Sequence, residues 1–223
     1  SGGALLNPWF DRDLAIAGRV TLLSASGELC STLFDSARPV AVVPSLAIHL
    51  DRDANKQRSI NPHQDVVPLV MLGDPQHVDF KVWLAETLTA QDAQWQDARV
   101  MDYELSLYDV QAPAVAGMDE SWITSARLDN LLSCFAGLSA LIDADDAEWS
   151  MLVATDHEEV GSASTVGAQG PMLMDALTAL VPEPQDNQQL RTDSWMLSVD
   201  NAHAVHPNYA DKHDDQHSPR LGG

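Results

Sequence analysis

The apolar and polar positions in the first half of the chain follow two different repeats. Residues 19–23 and 38–43 are rich in aliphatic and β-branched side chains and predict strands, and residues 103–108 alternate like a strand with one buried face. Between them, residues 79–91 have helical spacing, with apolar or small side chains at Phe80, Trp83, Leu84, Thr87 and Leu88. The first half is therefore predicted to be β-rich with helical pieces.

The second half alternates between short apolar runs and longer segments with helical spacing. The runs at residues 149–154 and 195–199 are typical of buried strands, whereas residues 171–180 and the segment that starts at Asp129 have the spacing of helices. Strands that alternate with helices indicate an α/β domain with a largely parallel sheet.

A stretch rich in turn-forming residues separates the two halves. It covers residues 112–120 and includes Pro113 and Gly117. A chain of 223 residues can form one large domain or two small ones. We therefore predict two domains, at residues 1–110 and 111–223.

Composition and charge exclude several classes of protein. Hydrophobic residues make up 45% of the chain, which is typical of a globular protein. The net charge of −21 argues against nucleic acid or an anionic membrane as a partner. The two cysteines, Cys30 and Cys134, are too few for a disulfide framework, and no apolar run is long enough to span a membrane. Because no leader is visible at the start, the expected location is the cytoplasm.

Acidic residues follow the predicted strands of the second half. Glu158 and Glu159 come shortly after one apolar run, Asp200 follows the other, and Asp129 opens a helix. Parallel α/β sheets bind ligands beyond the carboxyl ends of their strands, so the four carboxylates could converge. Two adjacent glutamates repel each other unless a cation lies between them. The pattern therefore suggests a metal centre.

Each of these residues also has a simpler structural explanation when it is taken alone. Asp129 could cap its helix, and the two glutamates could belong to a solvated turn. The H-x-x-H spacing of His203 and His206 is weak support for zinc and equally fits a polar loop. His49 follows an apolar stretch and could be a core or interface histidine. Spacing alone leaves these alternatives open.

Three longer motifs together resemble the aspartyl aminopeptidase family, whose members are cocatalytic dizinc exopeptidases. They are Asp-His-Glu-Glu-Val-Gly-Ser at 156–162, Ala-Arg-Leu-Asp-Asn at 126–130 and Asp-Asn-Ala-His-Ala-Val-His-Pro-Asn-Tyr at 200–209. Residues 9–20 and 46–50 are similar to the inserted dimerisation domain of that family. The resemblance covers nearly the whole chain, in order. It implies a zinc-exopeptidase-like α/β catalytic domain with a mainly parallel sheet, plus an inserted β-rich dimerisation domain.

The resemblance also implies a role for individual residues. Asp129 would bridge two zinc ions in each protomer, Glu159 would bind one of them, and Asp200 would bind the other. Glu158 would be the general base that takes a proton from the metal-bridging water. Co²⁺ or Mn²⁺ could also occupy such a carboxylate-rich site.

Two histidines would act on the substrate. His203 resembles the residue that helps to stabilise the tetrahedral intermediate, and His49 resembles a histidine that reaches across a dimer contact into the partner's active site. The implied reaction is removal of one N-terminal residue, Asp or Glu, from a peptide. The implied assembly is a homo-oligomer in which dimers form a dodecamer.

The main departure from the family pattern concerns residues that bind metal or substrate. The family's two histidine ligands and its glycine-rich pocket loop near the C-terminus have no counterpart in the 223 residues, so we expect the sequence to be incomplete at both ends. Three alternatives stay open: a non-catalytic peptidase-like scaffold, a dizinc aminopeptidase that prefers neutral apolar residues, and a dizinc deacylase or carboxypeptidase.

Overall fold

The computed structural model describes residues 5–145 and 147–222. The chain divides between Ser125 and Ala126 into two compact units. The predicted boundary near residue 110 lies at the end of a strand, and the division follows a short hairpin 15 residues later (125 − 110). The assignment of the two parts as dimerisation and catalytic domains stays a prediction.

A three-stranded antiparallel sheet organises the first unit. Its strands are β1 (Leu14–Leu23), β2 (Leu29–Asp35) and β3 (Arg99–Asp109), in the order β2-β1-β3. The predicted strands at residues 19–23 and 103–108 are confirmed as parts of β1 and β3. Gly18 lies in the middle of β1, where a Cβ atom would be 2.1 Å from the carbonyl oxygen of Glu104 on β3. Only glycine allows the two backbones to approach so closely.

Helix α1 (Phe80–Gln91) covers one face of this sheet and confirms the predicted helix at residues 79–91. Asp79 caps it, because its carboxylate accepts hydrogen bonds from the amides of Lys81 and Val82 at 2.8 and 3.3 Å. The core is formed by apolar side chains from the sheet and the helix: Ile16, Val20, Leu22, Phe34, Leu84, Leu88 and Val100. The apolar repeat of α1 thus faces the sheet.

The prediction of a strand at residues 38–43 is wrong. Ala41 and Val43 make isolated bridges to Leu14 and Phe10, one antiparallel and one parallel, and Val42 makes one to Leu69. A strand requires a continuous ladder with one neighbour, and these single bridges do not form one. Ala41 and Val43 are still buried, together with Leu14, in a second small cluster.

The first unit ends in a hairpin of β4 (Ala114–Ala116) and β5 (Trp122–Thr124), which pair antiparallel. The second unit contains α2 (Leu128–Asp143), α3 (Met172–Leu180) and α4 (Pro184–Asp193). Helix α3 and the helix after Asp129 were both predicted. Short 3₁₀ helices lie at Asn7–Trp9, Pro75–His77, Ala93–Trp95, Glu158–Val160 and Pro207–Lys212. Within the described ranges, no helix is both long and apolar enough to cross a membrane.

The predicted strands at residues 149–154 and 195–199 are wrong for this structure. In the described part of the second unit neither run pairs with another strand, so no parallel sheet is present there. Trp149 and Trp195 are 92% and 87% exposed. An apolar run signals a buried strand only if other strands pair with it on both edges. Here the first run lies beside α2 instead, where a Cβ atom on Gly137 would be 2.8 Å from Leu152.

Candidate functional site

Hydrogen bonds hold the segments around Asp129 and Asp200 side by side. The side-chain amide of Asn201 donates to the carbonyl of Leu128 at 2.9 Å, and that of Asn130 donates to the carbonyl of Val199 at 3.5 Å. Each bond runs from the residue after one aspartate to the residue before the other. The two aspartates therefore lie on neighbouring stretches of backbone.

Asn201 makes a second contact that anchors it to α2. The hydroxyl of Ser133 donates to its side-chain oxygen. The loop that carries Asp200 is thus bound to the first turns of α2 at two points. The side-chain oxygen of Asn130 is buried and has no hydrogen-bond partner among the described residues.

Asp129 interrupts the start of α2 and does not cap it. The residue before the helix is Arg127, which has left-handed backbone angles and no capping side chain, and Asp129 itself is non-helical with φ −84° and ψ 112°. Within residues 5–145 and 147–222, the carboxylate of Asp129 accepts no hydrogen bond. It is exposed and available to a ligand.

Glu158 and Glu159 lie on a tight 3₁₀ turn, Glu158–Val160, with both side chains exposed. Left-handed residues bound the turn, because φ is 61° at His157 and 98° at Gly161. The amide of Ser162 donates to the carbonyl of His157 at 2.8 Å and closes the turn. The turn therefore presents two adjacent carboxylates to solvent from a fixed backbone.

The histidines near the C-terminus organise a loop. His206 accepts a hydrogen bond from the amide of Asn208 at 3.1 Å, and His213 accepts one from the amide of His206 at 3.1 Å. The ring of His203 lies 6.1 Å from that of His213. His206 thus has a structural part in this loop, and the role of His203 stays a prediction.

Two further groups, Asp214 and His49, belong to different compact units of the chain. The backbone amides of Gln216 and His217 donate to Asp214 and hold the pKa of that carboxyl below its usual range. His49 lies in a long segment without strands or helices and is exposed, so it is not a core histidine. Apolar side chains next to it are exposed as well: Leu46, Ile48 and Leu50.

The described residues fit a zinc site only in part. The donor chemistry is suitable, because zinc binds carboxylates, and Asp129 and Asp200 lie on adjoining segments. However, no group of three or more His, Cys, Asp or Glu side chains in the described ranges is placed to hold a metal ion. A structural zinc site takes four ligands and a catalytic one at least three from the protein. Glu159 is therefore not shown to join the two aspartates, and the roles of all site residues stay predictions.

Sequence reasoning missed the residues that position these carboxylates. Asn130 and Asn201 each follow an aspartate, so the repeated Asp-Asn pair was a signal that could have been read. Ser133 gave no such signal, because a serine on a helix is common and its partner is set by the fold.

Comparison with known proteins identifies a family. Residues 1–223 match a family described as aminopeptidase I zinc metalloprotease (M18). The chain is 52% identical over 221 residues to a probable M18 family aminopeptidase 2 of Ectopseudomonas mendocina, a match that covers 99% of this chain and 51% of the relative. The chain thus spans about half the length of the curated relatives it matches.

Solved structures agree in fold. A chain in the complex of Ape4 and Nbr1 matches with a TM-score of 0.82 and 29% identity, covering 99% of this chain and 46% of that one. The S. cerevisiae mApe1 dodecamer matches with a TM-score of 0.74 and 26% identity, covering 98% of this chain and 51% of that one. These similarities are consistent with an α/β peptidase fold.

Proposed function

This chain belongs to the M18 family of zinc metalloproteases, and we propose that the protein is an aminopeptidase that hydrolyses the first peptide bond of a peptide. By family resemblance the residue released is Asp or Glu. Two relatives that are 52% identical to this chain are named probable aminopeptidases. Their names support the reaction class but not the preferred residue.

One observation carries this proposal on the structural side. The reciprocal bonds of Asn130 and Asn201 hold the backbones of Asp129 and Asp200 together, although the two residues are 71 positions apart in sequence (200 − 129). Two exposed carboxylates on adjoining segments can both offer oxygen ligands to a cation. This juxtaposition supports a metal site there.

We assign the metal ligands as the family resemblance implies. Asp129 would bridge two zinc ions, with Glu159 on one ion and Asp200 on the other. Bound zinc would act as a Lewis acid toward the substrate carbonyl and toward water. The adjacency of Asp129 and Asp200 supports two of these assignments, and the solvent-exposed position of Glu159 allows the third.

Glu158 is the proposed general base. A carboxylate next to a metal ligand, but not itself a ligand, can take a proton from water and pass it to the leaving amine. Glu158 is adjacent to Glu159, is exposed, and accepts no hydrogen bond within the described ranges, so its oxygens are available for proton transfer.

Two histidines complete the proposed site, and one of them comes from a second protomer. His203 would stabilise the tetrahedral intermediate. His49 would enter the active site of a second protomer, and the exposed Leu46, Ile48 and Leu50 beside it are suitable for a protein contact. We propose that dimers assemble further into a dodecamer, as in the solved mApe1 particle. We also propose a cytoplasmic location, consistent with two unpaired cysteines.

The first experiment is metal content measured beside the rate of hydrolysis of Asp-, Glu- and Leu-anilides. Close to two zinc ions per protomer, with fast release from Asp or Glu, would support the proposal. Release only from Leu would instead indicate a neutral-residue aminopeptidase. An N-acetylated Asp-anilide is the matched control: an aminopeptidase needs a free amine and releases no aniline from it, whereas a deacylase would release acetate.

A non-catalytic scaffold is the second candidate. It is favoured by one observation, namely that the described residues include no set of three side chains placed to hold a metal ion. A protein that binds no zinc when zinc is supplied, releases no anilide, and still assembles would be a scaffold.

A further inference from the structure

We propose that His157 and Ser164 form a positioning pair that fixes the turn carrying Glu158 and Glu159. The inference rests on the proposed function for the role of these two carboxylates. Neither His157 nor Ser164 has a role in the scheme drawn from the family resemblance. Their contact is a hydrogen bond of 2.6 Å between the Nδ1 atom of His157 and the Oγ atom of Ser164.

The backbone of His157 is hydrogen-bonded across the turn that carries Glu158 and Glu159, which is called the glutamate turn below. Its carbonyl accepts hydrogen bonds from the amides of Val160 and Ser162, at 3.3 and 2.8 Å. Its own amide donates to the side chain of Asp156 at 2.7 Å. A change in the orientation of His157 would therefore move the whole turn.

The backbone of His157 is in a conformation that needs support. Its φ of 61° and ψ of 27° are left-handed, which costs a residue other than glycine about 1–2 kcal/mol. Such strain persists only where surrounding contacts hold it in place. The bond from the imidazole to Ser164 is a contact that can do so.

Ser164 is a suitable anchor because the following turn fixes its position. Its carbonyl accepts a hydrogen bond from the amide of Gly167 at 3.2 Å. A Cβ atom on Gly170 would lie only 2.1 Å from the same oxygen, so the backbone of this turn folds closely over Ser164. The His157–Ser164 bond thus ties the glutamate turn to a second, glycine-rich turn.

The side chains of the two carboxylates make no tie of their own. Neither the side chain of Glu158 nor that of Glu159 makes a hydrogen bond or an ion pair within residues 5–145 and 147–222. The His157–Ser164 bond holds their turn together with two backbone bonds, from the amide of Asp156 to Val166 at 3.1 Å and from the amide of Gln169 to Ser162 at 3.2 Å. Their orientation is set through the backbone alone. Loss of an outer partner of a metal site typically costs 10- to 100-fold in metal affinity or activity.

The test compares Ser164→Ala with Ser162→Ala. Both variants remove one hydroxyl from the same loop, but the side chain of Ser162 makes no hydrogen bond among the described residues. We expect Ser164→Ala to weaken zinc binding about 10- to 100-fold in competition with a chelator, and to lower kcat with little change in KM. Ser162→Ala should change neither, and Ser164→Thr, which keeps a hydroxyl, should restore most of the affinity.

A second readout does not depend on zinc or on turnover. The exchange of the Ser162 amide with solvent, followed by NMR, should become about tenfold faster in Ser164→Ala, as expected for one lost hydrogen bond. Unchanged exchange would overturn the positioning role even if activity fell. A wild-type protein that hydrolyses no anilide would instead refute the proposed function, and the exchange experiment would still decide whether the pair exists.

A double-mutant cycle gives the sharpest outcome. His157→Asn keeps a residue that tolerates the left-handed backbone but is too short to replace the imidazole. If the two side chains act through one bond, the combined variant should lose no more zinc affinity than the more affected single variant. Losses that multiply would show independent effects and would overturn the proposal.

Discussion

Replacing Asn201 by alanine should loosen the segment that carries Asp200 without changing any charge. Asn201 bonds the carbonyl of Leu128 at 2.9 Å and accepts a bond from the hydroxyl of Ser133. Each such hydrogen bond contributes about 0.5–1.5 kcal/mol net, so the two together contribute about 1–3 kcal/mol. If that free energy serves to hold Asp200 beside Asp129, zinc binding should weaken by about 5- to 150-fold in Asn201→Ala.

Two matched variants make this expectation quantitative. Ser133→Ala removes one of the two bonds and should weaken zinc binding by about 2- to 12-fold. Asn208→Ala is the control, because the side chain of Asn208 makes no hydrogen bond in the described part of the chain. The assay is competition for zinc against a chelator of known affinity, with thermal unfolding measured in parallel.

A positioning role for Asn201 is refuted if Asn201→Ala binds zinc as tightly as the wild-type protein. That role is also refuted if Ser133→Ala has the larger effect, because one bond cannot contribute more than the pair that includes it. A fall in unfolding temperature with unchanged zinc affinity would show that Asn201 supports the fold and not the site.

Three further predictions use the same structure. Glu158→Gln should lower kcat at least about 100-fold while zinc content stays close to wild type, because it removes the base and no ligand; near-wild-type turnover would exclude the general-base role. Gly18→Ala should destabilise the first unit by about 2–4 kcal/mol in urea unfolding, because the new Cβ meets the Glu104 carbonyl at 2.1 Å. Gly27→Ala, which shares a positive φ but has no atom within 4 Å, should cost only about 1 kcal/mol, and equal losses would contradict the clash. Because the pKa of Asp214 is lowered by the amides that donate to it, its stabilisation of the C-terminal loop is complete above the ordinary carboxyl value and is lost as the pH falls through the lowered one. The NMR shift of the Asp214 carboxyl carbon should therefore titrate below the ordinary carboxyl range; titration at or above that range would reject this.

The sequence predicted the elements whose stability depends on local pattern. Helix α1 was predicted from its apolar repeat, and the observed helix starts directly after the cap Asp79. Part of β1 was predicted from its aliphatic and β-branched residues and part of β3 from alternation, and both strands contribute side chains to the core. In each case the residues that specify the element are close together in sequence, so a single sequence contains the signal.

The runs at residues 149–154 and 195–199 show what a local sequence pattern does not predict. An apolar run indicates that a segment prefers burial, but it does not specify the partner that buries it. In the described structure these runs form no strands, and Leu152 packs beside Gly137 of α2 instead. Pairing between strands far apart in sequence depends on the whole sheet, and no local pattern encodes it.

The candidate site was easier to recognise than to assemble from the sequence. The acidic motifs and their order were visible, and they pointed to the family that the comparisons identify. The bonds that place Asp129 beside Asp200 were not visible, because Asn201 and Leu128 are 73 positions apart (201 − 128). Their partnership exists only after the chain has folded.

The three acidic segments share a way of holding their carboxylates. In each, a neighbour of the carboxylate makes the tethering bond: Asn130 beside Asp129, Asn201 beside Asp200, and His157 beside Glu158. The carboxylates are exposed. Carboxylates that faced one another without a cation would move apart if their own side chains were the only constraint. Bonds made by the neighbouring residues resist that repulsion through the backbone. They leave the oxygens of Asp129, Glu158 and Glu159 free of protein hydrogen bonds within the described ranges. If the three segments bind a cation as proposed, the affinity should depend on these uncharged neighbours as well as on the ligands themselves.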